Sequence, residues 1–246
     1  MQPRLLIVLL LLVITFVSSN KKERKHRIAV DLAHKEIFWH DPNDMPGMDT
    51  AFVKRMKYMT GELKKTADAV NADFVYLKKE IKPEDLKECD LLFIHFPSTK
   101  YTPAELSAIS KFINNGGALF LVMDSDYWST LEQTNVNDII APFNIQFGGM
   151  SPNMLPGGKT TANAITKTPL KISYHEARIV TGGTPFCYSI HTDEYPFGTF
   201  LETKNGGRII VMGEGMVSLY MTSWKDVNDY QCQEFMQAAF KWLYKM

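Results

Sequence analysis

Residues 116–128 read GGALFLVMDSDYW, and this stretch decides the fold class. Its apolar part, residues 118–123, predicts a strand buried on both faces, as in a parallel sheet covered by helices. The strand ends abruptly in polar and then aromatic residues, which are Asp124, Ser125, Asp126, Tyr127 and Trp128. In parallel α/β sheets, ligand and catalytic sites lie just past the carboxyl ends of the strands. The turn after this strand is therefore either a functional site or a polar turn.

Similar strands precede this one and alternate with helical patterns. Residues 27–33, 73–79 and 90–96 predict three strands. A helix between the first two is indicated by apolar residues at steps of three and four, namely Phe52, Met56, Met59, Leu63, Ala67 and Val70. Asp49 or Thr50 is expected to cap this helix. The alternation predicts βαβ units, and hence a three-layer α/β fold with a mostly parallel central sheet.

The helix before residues 118–123 has the clearest boundaries in the chain. Thr102, Pro103 and Glu105 form a T-P-A-E capping box with proline at the first helical position. Gly116 is expected to end this helix. The second half has weaker patterns, which predict a helix over 130–141, strands at 143–147, 177–180, 186–190, 197–203 and 208–215, a loop over 148–169 and a helix over 226–244. Without internal repeats or an interdomain linker, residues 28–246 are expected to form one domain.

The overall charge argues against nucleic acid as a partner. Lys plus Arg and Asp plus Glu each number 27 in 246 residues, so the formal net charge is zero. Three cysteines at irregular spacing, Cys89, Cys187 and Cys232, indicate neither a disulfide framework nor a metal motif. At most one disulfide is expected. No cofactor and no resident metal are predicted.

The first residues have the features of an export signal. Arg4 precedes an apolar stretch, residues 5–17, which is shorter than the roughly 20 residues of a membrane span. Cleavage near Ser19 would leave a basic linker, residues 20–27, and a periplasmic or secreted protein. Those positive charges resist translocation, so the alternative is a protein anchored in the membrane by residues 5–19. Any membrane association is expected only through an uncleaved segment of this kind.

Residues 89–126 resemble the class I glutamine amidotransferase-like fold, in the order strand, polar loop, capped helix, double glycine, strand and acidic turn. Residues 135–149 and 205–220 fit the later part of the same pattern. More closely, the chain resembles the branch that contains the gliding-motility GldG proteins and the intraflagellar-transport GIFT domain. The resemblance implies a flavodoxin-like sheet order. It concerns the fold, not catalytic motifs, so it carries little information about activity.

The same resemblance implies that amidotransferase chemistry has been lost. Members with that activity carry a cysteine on the turn after the fourth strand, and a histidine and glutamate after a later strand. Here that turn reads Met123-Asp124-Ser125-Asp126, and the later stretch, residues 213–220, contains no histidine. Without a thiolate nucleophile, we expect no glutaminase activity.

Several polar and aromatic residues follow the predicted strands, and they are the candidate ligand-binding residues: Asp31, His34, His40, Ser98, Asp124, Ser125, Asp126, Trp128 and Glu214. Carboxylates and a histidine in one cleft are suited to general acid–base chemistry or to a hard cation. Alternatively, they bind sugar hydroxyls while Trp39, Tyr127 and Trp128 stack on the ring. Asp and Ser at strand ends also commonly satisfy backbone N–H groups in turns.

The sequence favours a non-catalytic, extracytoplasmic binding or accessory module, in carbohydrate or cell-envelope processes. A glycan or an extracytoplasmic protein is the expected partner. The alternative is a carbohydrate-active hydrolase or isomerase that uses Asp124, Asp126, Glu214 and His34. Catalysis predicts an accessible pocket with two carboxylates about 5–10 Å apart. A binding or scaffold role predicts a shallow rim on which those side chains cap helices, and an exposed apolar patch elsewhere.

Overall fold

The computed structural model describes residues 24–44 and 50–246. Its strands in chain order are β1 (His26–Asp31), β2 (Ala72–Leu77), β3 (Leu91–His95), β4 (Ala118–Val122), β5 (Gln146–Met150), β6 (Gly158–Thr160), β7 (Lys171–Ile172), β8 (Arg178–Thr181), β9 (Thr184–Ser189), β10 (Gly198–Glu202) and β11 (Arg208–Met212). Its α-helices are α1 (Ala51–Asp68), α2 (Pro83–Leu86), α3 (Pro103–Asn114), α4 (Val136–Ile140) and α5 (Cys232–Leu243).

The main sheet has nine strands in the order β2-β1-β3-β4-β11-β10-β9-β6-β7. The first five run parallel, in the 2-1-3-4-5 order of flavodoxin-like sheets. The last four pair antiparallel, and β5 pairs with β8 in a separate two-stranded sheet. The prediction of a mostly parallel sheet is therefore right for one half and wrong for the other. The connection from β10 to β11 spans only residues 203–207, too short for a parallel crossover.

Helices cover both faces of the parallel half, so the three-layer prediction is confirmed. Alternate residues of each strand face opposite sides, and they belong to two separate hydrophobic cores. Val30 packs in the core that contains Met56 of α1 and Phe235 of α5. Ala29 packs in the core that contains Ile109 of α3, together with α4.

Helix α1 begins as the sequence predicts, but one residue of its predicted buried face is exposed to solvent. The Thr50 hydroxyl accepts a hydrogen bond from the Val53 N–H at 3.2 Å, which confirms Thr50 as the cap. Asp49 lies outside the described residues. The predicted apolar face is buried apart from its first member, Phe52, whose exposed fraction is 46%. Its first-turn position leaves this ring at the border of the core.

The capping box of α3 is confirmed in detail. The Thr102 side chain accepts a hydrogen bond from the Glu105 N–H, and the Glu105 carboxylate accepts one from the Thr102 N–H at 2.8 Å. Glu105 is only 2% exposed. Its other oxygen accepts a hydrogen bond from the Ile81 N–H at 2.8 Å, so the cap also holds the segment before α2.

Two helices are shorter than predicted. The helix expected over 130–141 is reduced to α4, because Thr130 and Gln133 bond to each other's backbone N–H groups and close a turn ahead of it. The last helix begins at Cys232, not near residue 226, because residues 224 and 227 form an isolated β-bridge. The predicted loop over 148–169 contains the end of β5 and the short strand β6.

The predicted signal peptide, residues 1–19, lies outside the described residues. No helix within residues 24–44 and 50–246 has the length and apolar character needed to cross a membrane.

Candidate functional site

The carboxyl ends of the five parallel strands meet at one edge of the sheet, which we call the carboxyl edge. The strand order reverses between β1 and β3, and this reversal is the usual binding position in doubly wound sheets. Asp31 ends β1 and His95 ends β3. Asp124 follows β4, and Glu214 follows β11, the neighbour of β4. The fold thus brings most of the predicted residues to the same edge.

Asp31 is the centre of a buried polar cluster at the end of β1. It is 0% exposed and accepts hydrogen bonds from the Ala33 N–H at 2.9 Å, the Tyr101 hydroxyl at 2.6 Å and Nδ1 of His34 at 2.8 Å. The His34 and Tyr101 rings are stacked, with centroids 3.6 Å apart. Asp31 therefore fixes the orientation of two other side chains, and protein donors occupy its oxygens.

His34 lies between two carboxylates. Its Nε2 is 3.3 Å from Glu105 Oε1, on the side opposite Asp31. Burial alone would lower the pKa of His34, but the hydrogen bond and charge of Asp31, together with Glu105, raise it overall. Burial would raise the pKa of Glu105, but hydrogen bonds from the Thr102 and Ile81 backbone lower it overall. The cluster favours a protonated imidazole paired with ionised Glu105.

Glu36 and His95 are a second pair of buried residues, next to the cluster around Asp31. Glu36 Oε1 accepts a hydrogen bond from the His95 N–H at 2.5 Å, and its Oε2 has no hydrogen-bond partner among the described residues. Burial, and secondarily the charge of Asp31, raises the pKa of Glu36 well above its ordinary value. Burial lowers the pKa of His95 to about 3. His95 is therefore a neutral imidazole at pH 7, and burial favours the neutral form of Glu36 as well.

Asp124, in the turn after β4, connects this turn to the one after the neighbouring strand β11. Asp124 accepts hydrogen bonds from the Ser125 N–H at 2.5 Å and from the Gly215 N–H at 2.7 Å, so it joins the turn after β4 to the turn after β11. Glu214 accepts a hydrogen bond from the Val217 N–H at 3.1 Å. Asp124 is 4% exposed and Glu214 is 0% exposed. In this conformation, a substrate has no direct access to either carboxylate.

The pKa values of these two carboxylates are shifted strongly upward. Burial raises the pKa of Asp124 to about 6, against the opposing effect of its backbone hydrogen bonds and of Arg178. Burial and the negative charge of Asp124 raise the pKa of Glu214 well above its ordinary value. Burial therefore favours the neutral, protonated form of Glu214. Its Oε1 has no hydrogen-bond partner among the described side chains and backbone.

The remaining polar candidates lie nearer the surface or are held by other groups. Asp126 forms an ion pair with Arg178, whose guanidinium is buried. Ser98 donates a hydrogen bond from its hydroxyl to the Lys35 carbonyl at 3.0 Å. His40 is half-buried, and no hydrogen bond or ion pair among the described residues joins it to His34. Their ligand-binding roles, like those of Asp31, His34, Asp124, Ser125 and Glu214, stay predictions.

Four aromatic rings form a row beside these polar groups; Phe52 and Tyr127 at its two ends are exposed, whereas Phe38 within it is only 7% exposed. The ring centroid of Phe38 is 6.3 Å from that of Phe52 and 4.9 Å from that of Trp128, and Trp128 lies 4.8 Å from Tyr127. Tyr127 is 82% exposed. We call Phe52, Phe38, Trp128 and Tyr127 the aromatic strip. Trp39, which the sequence placed with Tyr127 and Trp128, is only 3% exposed and packs in the core against Phe93.

The arrangement restricts the chemistry that this edge can perform. None of the cysteines, Cys89, Cys187 and Cys232, lies on the turn after β4, and all three are free and buried. In the described part of the chain, no group of His, Cys, Asp and Glu side chains has the arrangement of a metal site. Burial raises the pKa of Cys187 well above its ordinary value and that of Cys232 to about 12, so both remain thiols at pH 7.

Four residues of the edge escaped the sequence analysis as site members. Glu105 was identified only as a helix cap, and no motif marks Tyr101, Glu36 or Arg178. Arg178 is 52 positions from Asp126 in the chain, and Tyr101 is 70 positions from Asp31. For Glu36, the usable signal was its place in a loop that also carries His34, His40 and Trp39.

Comparisons with known proteins agree with this architecture. A sequence profile described as the IFT52 GIFT domain matches residues 51–151, which is less than half of the chain. The mmIFT52 N-terminal domain is similar in structure, with a TM-score of 0.64 at 18% identity, over 89% of this chain and 98% of that domain. No curated protein sequence matches this chain significantly.

Two further solved structures are similar at lower scores. A ThuA-like protein from Bacteroides uniformis has a TM-score of 0.51 at 12% identity, over 92% of this chain and 94% of that chain. A β-galactosidase from Rahnella sp. R3 also has a TM-score of 0.51 at 12% identity, over 90% of this chain but only 31% of the enzyme. The chain thus has a GIFT/ThuA-like fold, which is related to that of the class I glutamine amidotransferases.

Proposed function

We propose that this chain is a non-catalytic, extracytoplasmic binding module and that its aromatic strip binds a glycan. The observation that carries the proposal is the contrast at the carboxyl edge. The carboxylates Asp31, Asp124 and Glu214 are buried and bonded to protein groups. The rings of Tyr127 and Phe52 beside them are exposed to solvent. We also assign the chain, as part of this proposal, to the triad-less branch that includes the GldG proteins.

The chemistry of the strip fits a sugar ring. An exposed aromatic ring is an apolar platform whose edge stays in water, and Trp128 is fixed in place by its contact with Phe38. Asp126, next to Tyr127 in the chain, is exposed and ion-paired with Arg178, so it offers carboxylate oxygens as hydrogen-bond acceptors. A sugar has both an apolar face and hydroxyl donors. Export, and hence contact with extracellular or cell-envelope glycans, rests on the predicted signal peptide.

Replacing Tyr127 or Trp128 by alanine is expected to weaken oligosaccharide binding about tenfold or more, because truncation of an aromatic contact residue commonly costs over 1 kcal/mol. The purified protein should be screened on a glycan array, and the hits measured by calorimetry. Tyr195→Ala is the matched control, because this tyrosine lies in the β9–β10 loop and is not a member of the strip. Glycan binding that is unchanged in both strip variants would contradict the assignment. Binding to no glycan at all would leave a protein partner as the ligand.

One observation supports a second candidate, a carbohydrate-active hydrolase or isomerase. Neighbouring carboxyl groups with strongly shifted pKa values, here Asp124 and Glu214, are characteristic of acid–base catalysts. Their burial requires the turn after β4 to open before a substrate can enter. Turnover of chromogenic glycosides that is abolished in Glu214→Gln, a variant that retains glycan affinity, would favour this candidate over the binding module.

A further inference from the structure

A cleft in the described part of the chain lies at the opposite edge of the sheet, where the parallel strands begin. Its volume is about 690 Å³, within the range of small-molecule sites. We call it the amino-edge cleft. It is bounded by α2, the segments before β3 and β4, α3 and the end of α5, and the lining residues used below are Leu86, Ala108, Phe112, Tyr244, Lys87, Lys111 and Lys245.

The cleft has an apolar floor. Leu86 and Ala108 are buried there, on α2 and α3. The Phe112 ring lies so close to Gly117 that a Cβ at residue 117 would be 2.5 Å from it. The Phe112 ring can pack this closely against the backbone because residue 117 is glycine. An apolar ligand body would lie over this floor and would displace water chiefly from the partly buried Phe112 ring.

A hydrogen-bond donor without a partner lies among the lining residues. The Tyr244 hydroxyl is buried and has no hydrogen-bond partner among the described residues, and the residue is only 8% exposed. The Tyr244 ring is held by stacking on His26, with centroids 4.3 Å apart. Burial, then the charges of Asp90 and Cys89, raises the pKa of Tyr244, so the hydroxyl keeps its proton. A buried, unsatisfied donor is costly, and a ligand would accept its hydrogen bond after a local shift of the side chains that shield the hydroxyl.

The rim of the cleft is mainly positive. It carries Lys87, Lys111 and Lys245, which we call the rim lysines. Of the two acidic residues that line the cleft, Glu84 is exposed, and Asp90 is already bound by Arg24 and by the Arg27 N–H. An anionic group at the rim would therefore meet the three rim lysines and the exposed carboxylate of Glu84.

We propose that the amino-edge cleft binds a free small amphiphilic anion, with its apolar body on the floor and its carboxylate or sulfonate at the rim lysines. The cleft combines a concave apolar surface, an unpaired hydroxyl donor and complementary charge, which together define this ligand class. It lies at the other end of the strands from the aromatic strip. The proposal is therefore independent of the glycan site, and either one stands if the other fails.

The first measurement is a fluorescence titration of the purified protein with 8-anilinonaphthalene-1-sulfonate, an aromatic anion. Dodecanoate then displaces the dye, and dodecanol is the uncharged comparison. We expect saturable binding at one site, displaced at least about tenfold more strongly by dodecanoate than by dodecanol, because the rim is cationic. Equal displacement by both compounds would show that the negative charge of the ligand does not contribute to binding, which contradicts the proposal. Binding to phosphatidylglycerol vesicles without displacement of the dye by dodecanoate would point to a membrane surface and overturn it.

Variants locate the bound dye. Ala108→Phe fills the floor, and the exposed double variant Lys111→Glu/Lys245→Glu reverses the rim charge without touching the core. Each is expected to weaken dye binding about tenfold or more, and Tyr244→Phe about fivefold. Lys167→Glu and Trp128→Ala are the controls for charge and for the aromatic strip, with changes below about twofold. Unchanged affinity in the double charge variant, or loss of binding in Trp128→Ala alone, would overturn the proposal even if Ala108→Phe does not fold.

Discussion

Replacing Asp31 by alanine should lower the free energy of unfolding by about 3–5 kcal/mol, the cost of leaving buried polar partners without their charge partner. The substitution removes the acceptor for the Tyr101 hydroxyl, His34 Nδ1 and the Ala33 N–H. Tyr101 and His34 are themselves buried, at 3% and 4% exposed. Water therefore cannot replace the lost acceptor without opening the cluster. Urea denaturation at pH 7, followed by circular dichroism, measures the loss.

Asp31→Asn is the matched variant. Its amide oxygen still accepts hydrogen bonds, so we expect about half the loss or less, and this variant remains measurable if Asp31→Ala does not fold. A loss below about 1 kcal/mol in Asp31→Ala would contradict the structural role. In that case Asp31 would be free to act on a ligand, and the prediction of a binding role for this residue would gain support.

The second large effect concerns pH. The contribution of Asp124 and Glu214 to stability should fall as the pH rises from about 4 through 6 and beyond, because both groups bind protons more tightly in the folded protein than in the unfolded chain. His95, whose pKa is lowered to about 3, contributes in the opposite direction over the same range, so the effect is measured as a difference between a variant and the parent. Below their unfolded pKa values both groups are protonated in either state, and their contribution to stability is fully present. Above pH 4 the unfolded chain releases these protons first, which favours unfolding. For Asp124 alone, with its pKa raised from 3.8 to about 6, the change is roughly 3 kcal/mol.

Glu214→Gln isolates this effect. Glutamine resembles the protonated acid in shape and removes its ionisation, so the variant should match the parent protein near pH 4 and exceed its stability by at least about 1 kcal/mol at pH 8. Thermal melts across this pH range measure the difference. Glu132→Gln, at an exposed position, is the control and should show no pH-dependent difference from the parent. Parallel pH profiles for Glu214→Gln and the parent would show that Glu214 is ionised at neutral pH.

The parallel half of the fold is predictable because its signals are local. The apolar run of β4 and the T-P-A-E cap of α3 each determine their own element within a few residues. The antiparallel half was less predictable, because β6 has only three residues and β7 only two. Strands this short have no usable alternation, and their direction is set by partners that are distant in the chain.

In the candidate site, too, local features were predictable from the sequence and long-range contacts were not. The sequence identified which residues follow the strands, since that depends on strand ends alone. It did not show that Asp124 bonds to Gly215, because the two residues are 91 positions apart. Nor did it show that Phe52 lies at the surface, because a helical period identifies a face but not where the core beneath that face ends.

Glu105 has a consequence for how the molecule opens. One buried carboxylate accepts hydrogen bonds from the first turn of α3 and from the segment before α2, and it contacts the imidazole of His34. When the first turn of α3 frays, the other two segments lose the same partner. These three segments should therefore exchange their amide hydrogens as one cooperative unit, unlike an ordinary helix end that frays alone.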